Sequence, residues 1–205
     1  MASLKSLSQF KSQLIGGGAR PNLFEVDIQF PAAVNQLVQG DGGTGFDPNN
    51  FRFLCKSAAL PASNVAAIEV PFRGRTLKVA GDRTFDTWTV TVINDENFVH
   101  RRAFESWMQN IGQYSDHSGF TNPADYMANA SVFQLGRGVV NRETGTGSGG
   151  DAEVLAQYKF YDIFPTNIAA IDLSYDSTDT IEEFTVEFQV QFFAPESPGS
   201  NTAQG

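Results

Sequence analysis

The sequence predicts a mainly β protein: an antiparallel sandwich or split barrel with one covering α-helix. Three observations carry that prediction. Several segments alternate apolar and polar side chains with a period of two, the signature of strands with one buried face. The aromatic residues are 18 Phe against 5 Tyr and 2 Trp, which suits cores of Phe and β-branched residues in strands. Only one internal segment carries a clear helical stripe, with Phe104, Trp107, Met108 and Ile111 at i, i+3, i+4 and i+7, so one helix is expected to cover one sheet.

Taken in order, residues 3–15 read as a short amphipathic helix, with Ser3 as N-cap and Leu4, Leu7, Phe10, Leu14 and Ile15 as its apolar residues. Gly16, Gly17 and Gly18 end it and form a joint. A helix this short is marginal in water unless its apolar face finds a partner. Two partners fit, its own domain or a neighbouring subunit; the second makes Leu4, Leu7, Phe10 and Leu14 an inter-subunit arm. After Pro21, Phe24, Val26, Ile28 and Phe30 alternate with Glu25, Asp27 and Gln29 in a first strand. Residues 31–50 lose the pattern and read as a long Gly-rich loop. Strand character resumes over residues 51–60, followed by two short strands at 65–70 and 73–80.

Residues 83–94 give a clear strand, with Trp88, Val90 and Val92 on one side and Thr87, Thr89 and Thr91 on the other. Asn94 or Asp95 is placed to cap the helix that follows. Further strands are expected at 130–138, 154–163 and 168–175, with residues 145–150 (GTGSGG) a side-chain-poor loop. The last strand alternates most regularly. Phe184, Val186, Phe188, Val190 and Phe192 face one side; Glu183, Thr185, Glu187, Gln189 and Gln191 face the other. The expected total is eight or nine strands. The candidate core comprises Trp88, Val90, Val92, Phe104, Trp107, Phe184, Val186, Phe188 and Val190. The expected organisation is an arm over residues 1–18, a β domain over 19–193 with insertions at 31–50 and 143–152, and a flexible tail over 194–205.

Composition bounds the chemistry. A chain of 205 residues with net charge −9 and no long basic run lacks the Lys and Arg needed to displace phosphate counterions. One cysteine, Cys55, leaves neither a disulfide framework nor a thiolate cluster. No apolar run is long enough for a membrane span, and the N-terminal residues lack a secretory apolar core, so folding in a cytoplasm is expected. No phosphate loop, HExxH or GxSxG motif is present. His100 and His117 have no local ligand pattern. Asp82, Asp86 and Asp95 read as scattered surface charge, Arg101 and Arg102 as a solvated helix face, and Asn129-Ala130-Ser131 as a chance glycosylation triplet. No catalytic, cofactor or metal site is expected, and the chain reads as a binder or building block rather than an enzyme.

Several stretches resemble the tail tube proteins of myoviruses, the contractile-tailed bacteriophages. The most specific is VPFRGRTLKVAGDRTFDTWTVTVINDE at residues 70–96. It is joined by ARPNLF at 19–24, FLCKSAALPA at 53–62, residues 104–107, PADY at 123–126, PTN at 165–167 and the terminal strand over 181–193. Residues 31–50, residues 143–152 and the tail after Phe193 depart from the pattern. The resemblance implies hexameric rings whose strands join into one barrel around a channel, stacked into the tail's inner tube. It further implies, as partners, other copies of this chain, the tail sheath, a tape-measure protein, baseplate and tail terminator proteins, and DNA that passes without specific binding. The expected location is the virion, after assembly in the host bacterial cytoplasm. A tube protein of type VI secretion or of a phage-derived bacteriocin is the nearest alternative. A monomeric ligand-binding β-barrel is the alternative of another class, requiring an apolar cavity and no open strand edges.

A channel for DNA needs a polar lining. Thr87, Thr89, Thr91, Glu183, Thr185, Glu187, Gln189 and Gln191 are the candidates for it, ordinary outward exposure being the other reading of the same alternation. Duplex DNA carries one negative charge per ~1.7 Å of axis, so a neutral or acidic lining avoids a brake that basic residues would repeat in every ring.

Overall fold

Strand alternation decides the architecture seen in the computed structural model, which describes residues 6–14, 18–32, 34–35, 47–139 and 152–196. In β5 (Trp88–Ile93) and β8 (Glu183–Gln189) every second residue is buried, so each strand can only sit with one face on a core. The two pair antiparallel, Trp88 opposite Phe188 and Ile93 opposite Glu183. Seven of the nine described strands form one sheet in the order β1-β6-β7-β8-β5-β2, with β9 added to β7. Here β1 is Phe24–Gln29, β2 Cys55–Ala58, β6 Ala128–Val139, β7 Ala152–Ile168 and β9 Phe192–Glu196. The remaining two, β3 (Ser63–Phe72) and β4 (Arg75–Phe85), form a separate hairpin.

The large sheet folds on itself because β7 serves two half-sheets. Its earlier part pairs with β6 and β9, and Phe164–Ile168 pairs with β8. Between them the register runs from Ala130 opposite Phe160 to Ala128 opposite Ile163, so Tyr161 and Asp162 together face Asn129. This is a β-bulge, which bends a strand and raises its twist. Asp162 takes a left-handed φ of 52°, and its N–H donates to Asn129 Oδ1 at 3.3 Å. The bend lays half-sheet A (β1, β6, β9 and the first part of β7) over half-sheet B (β2, β5, β8 and the last part of β7).

Between the half-sheets lies one aromatic core. Trp88 stacks on Phe160 at 4.5 Å and 16°, and touches Phe188 at 5.3 Å. Val26 and Ile28 of β1 and Val132 of β6 are buried in the same cluster as Val90, Val92, Phe184, Val186 and Val190. Each such side chain contributes roughly 1.5–3 kcal/mol by leaving water. Helix α3 (Val99–Ile111; Leu7–Gln13 is α1 and Pro48–Leu54 is α2) lays its stripe over this core. Phe104 meets Phe184 at 6.3 Å and Phe188 at 5.9 Å, edge to face. Trp107 packs on Phe30 at 4.7 Å and donates its indole N–H to the carbonyl of Tyr126 in α4 (Pro123–Tyr126) at 2.7 Å. Every residue of the candidate core is buried.

The structure corrects several expectations. Residues 48–50, expected in the loop, and 51–54, expected as strand, together form α2, and this turns Phe51 into the core beside Phe104. The strands at 65–70 and 73–80 are longer, and Arg73 with Gly74 forms the turn between them at φ 47° and 78°. Positive φ at both positions fits a two-residue hairpin turn whose twist matches the strands. The strand expected over 83–94 is two: Arg83 and Phe85 belong to β4, and β5 starts at Trp88. The separate strands at 154–163 and 168–175 are replaced by one continuous β7, and residues 169–182 carry no strand. Phe192 leaves the terminal strand's apolar row. The chain bends after Val190, and β9 then pairs along β7, taking Ala194, Pro195 and Glu196 out of the expected tail. Helix α1 starts later than expected. Ser6, not Ser3, caps it, in a capping box with Gln9. Phe98 stands at the N-cap of α3 with no side-chain bond, but Asp95 Oδ1 still accepts from Val99 N–H at 3.1 Å. Ser3, Leu4, Ile15, Gly16, Gly17, residues 36–46, residues 143–150 and the chain beyond Glu196 lie outside the described residues.

Candidate functional site

The outward face of half-sheet B is polar over most of its length, Ile93 being its apolar exception on β5. Register places Thr89 opposite Glu187, Thr91 opposite Thr185 and opposite Ser57 of β2, and Asn167 opposite Glu187 from the other side. Thr91 and Thr185 hydroxyls lie 3.4 Å apart. Thr166 Oγ1 donates to the Glu187 carbonyl at 3.2 Å. At the margin, Lys56 pairs with Glu183, which leaves Glu187 as the charge on this face without an ion pair among the described residues. Of the eight polar candidates, Thr89, Thr91, Glu183, Thr185, Glu187 and Gln189 therefore lie on one face of two neighbouring strands. Thr87 sits in the connection before β5, and Gln191 at the bend between β8 and β9.

The edges of this half-sheet matter as much as its face. Among the described strands, β2 pairs only with β5, and Phe164–Ile168 pairs only with β8. Both flanks are therefore open, and an open edge presents unpaired N–H and C=O groups ready to accept a further strand.

Two further elements leave apolar surface uncovered. Helix α1 buries none of its residues; Leu7, Phe10 and the adjoining Leu14 are 70%, 61% and 46% exposed. In the hairpin, Ile68 pairs with Val79 and Val70 with Leu77 on one face. All four stay exposed. Register along a strand with an uncovered apolar face is normally fixed by what covers it.

The interior itself is filled with rings. Clefts open at the split between β1 and β2, one of them about 470 Å³ and lined by Leu23, Phe24, Arg52, Phe53 and Lys56 among others. Among the described residues no group of three or more His, Cys, Asp or Glu is placed to hold a metal ion. Cys55 is buried, and burial pushes its thiol up to about 12, well out of the reactive range. His100 is buried at the start of α3 against Phe51; burial lowers its pKa, against the raising influence of Asp95 and Asp47. His117 lies in the exposed turn after α3, where Ser118 donates to Asp116 Oδ1 from both its side chain and its backbone and holds that carboxyl below its usual range. Asp82, Asp86 and Asp95 do not converge: Asp86 accepts from Asn64 and Asp95 caps α3. Asn129 is engaged by the Asp162 backbone.

The chain is similar to one in the sheath–tube complex of an extracellular contractile injection system, PVC, in its extended state, with a TM-score of 0.54, 14% identity and coverage of 95% of this chain and 99% of that one. The model of the phage tail tube protein family matches residues 19–194. The tail tube protein gp19 of Enterobacteria phage T4 is 38% identical over 181 residues, 87% of this chain and 92% of that protein. Its counterpart in Enterobacteria phage T6 is 37% identical over the same shares. This chain belongs to the phage tail tube protein family.

Proposed function

We propose that the chain assembles into closed hexameric rings, stacked as the inner tube of a contractile phage tail, with the outward face of half-sheet B lining the channel. The observation that carries this reading is a four-stranded half-sheet that is polar outward, packed inward and open at both edges. Joining β2 of one copy to Phe164–Ile168 of the next by rotation repeats one heterologous contact until it closes. Six copies of four strands give twenty-four, more than the roughly 16–18 at which a barrel already leaves an aqueous channel. Thr89, Thr91, Thr185, Glu187 and Gln189 then face the lumen with Glu187 as its repeated charge, and DNA passes without being gripped. The exposed apolar residues of α1 serve as an arm onto a neighbouring copy. The organisation into an arm (1–18) and a tube domain that runs from residue 19 through β9 to Glu196 goes with this reading, as do partners in sheath, tape measure, baseplate and terminator, and assembly in the host cytoplasm before incorporation into the virion.

Negative-stain imaging of the purified chain tests the assembly: rings or tubes are expected, and a monomer persisting at high concentration would sink it. Glu187→Lys tests the lining. Tubes are expected to form as before while genome ejection slows; unchanged ejection removes Glu187 from the lumen and leaves the tube reading standing.

A further inference from the structure

Resting on that self-assembly, we infer which two segments meet head to tail between copies: the tip of the β3–β4 hairpin seats on residues 169–182 of the next copy. The two segments are complementary in charge. The hairpin carries Arg73, Arg75, Lys78 and Arg83 against Glu69 and Asp82. Lys78 and Glu69 answer each other within it at 3.8 Å, and neither Arg73 nor Arg75 has a carboxylate partner among the described residues. Arg73 instead lies over the Phe72 ring at 5.4 Å. Residues 169–182 contain Asp172, Asp176, Asp179 and Glu182 and no Lys or Arg.

Both segments also present uncovered apolar side chains beside their charges. Phe72 and Leu77 at the hairpin tip are 67% and 62% exposed; Leu173, Tyr175 and Ile181 are 80%, 105% and 72% exposed. Solvated charge alone does not explain large apolar side chains held in water on both segments, and contact between them removes both from it.

The placement of the two roots favours a contact between copies over one within the chain. The hairpin is rooted where β5 begins, at the Trp88–Phe188 end of half-sheet B, and residues 169–182 enter β8 at the Ile93–Glu183 end. The two roots lie at opposite ends of one pair of strands. In a barrel whose strands tilt by about 35–45°, those ends face opposite mouths. With the hairpin continuing outward from its root, one copy offers a basic apolar tip to one side and an acidic apolar segment to the other, and the same contact repeats from ring to ring. Like charges set together oppose assembly strongly, so this pairing also fixes polarity along the tube.

Charge reversal in the full chain tests the pairing. Arg73→Glu with Arg75→Glu, and separately Asp176→Lys with Asp179→Lys, should each raise the concentration needed for tube formation by about tenfold or more, with the thermal melt of the unassembled chain unchanged. All four reversals together should restore assembly to near the parental concentration. Either pair assembling like the parent, or the fourfold reversal doing no better than the pairs, overturns the inference. If a reversal disturbs folding, Arg73→Cys with Asp176→Cys in one chain decides: diamide oxidation of the assembled material should give a covalent ladder, and monomer alone overturns the pairing. A parent that never assembles refutes self-assembly itself. Parental tubes indifferent to the reversals refute only this contact.

Discussion

Val90 in β5 and Val70 in β3 sit in alternating strands of similar composition, yet Val90 is fully buried and Val70 is 44% exposed. Around Val90 the two half-sheets, α3 and a set of aromatic rings close on one another. Val70 is paired, among the described residues, with the partner strand of a hairpin alone. Alternation in sequence therefore marks a face that must be covered without saying what covers it. In the first region the chain supplies the cover; in the second, the proposed assembly supplies it.

Substitutions in the two regions should part stability from assembly. Phe188→Ala opens a cavity among Trp88, Phe104 and Trp107 and should cost about 3–5 kcal/mol, read as a lower midpoint in urea unfolding. A loss below about 1 kcal/mol would mean that the core is not the stabilising centre described here. Val90→Thr keeps the shape but buries a hydroxyl, and should cost about 1–3 kcal/mol in the same experiment.

Acidification probes the core through His100. Burial holds its folded pKa below the ordinary value of about 6.5, so the unfolded chain binds this proton more readily. Its effect on stability is absent above about 6.5 and grows as pH falls below that value. It levels off once pH is below the folded pKa. A urea midpoint that declines between pH 7 and 5 is expected, and the part due to His100 should vanish in His100→Phe if that variant folds to the same structure. A midpoint that declines identically in both would assign the acid response to other groups. Leu77→Ser should have the smallest effect on folding, within about 0.5 kcal/mol for an exposed site, yet should impair tube formation. Loss of folding with Leu77→Ser would erase the contrast between the two regions.

Much of the fold was legible because strand pairing leaves a local trace. The rows Trp88, Val90, Val92 and Phe184, Val186, Phe188, Val190 are buried as their alternation implies, and the helical stripe at Phe104 and Trp107 covers the sheet. The segments that depart from their local pattern do so through contacts distant in sequence. Residues 51–54 are apolar enough for a strand, but Phe51 meets Phe104 only if that segment turns as helix. Phe192 continues the period of two, yet its ring stacks on Tyr161 at 4.5 Å because β9 has moved to β7. Of the candidate lining, the face was readable and its extent was not. Thr87 and Gln191 obey the alternation but fall where the chain leaves the sheet.

The order of side chains alone accounts for the strand-rich class and for nine residues of the core, Trp88, Val90, Val92, Phe104, Trp107, Phe184, Val186, Phe188 and Val190, and residues 70–96 carry the most specific resemblance to tail tube proteins. These are properties of short segments, written in the order of side chains. Long-range pairing instead sets the bend of β7 at Asp162 that serves two half-sheets, the open edges at β2 and Phe164–Ile168, and the rooting of the hairpin and of residues 169–182 at opposite ends of one sheet. Each of these depends on pairings across tens of residues, and the same local pattern is compatible with many such pairings.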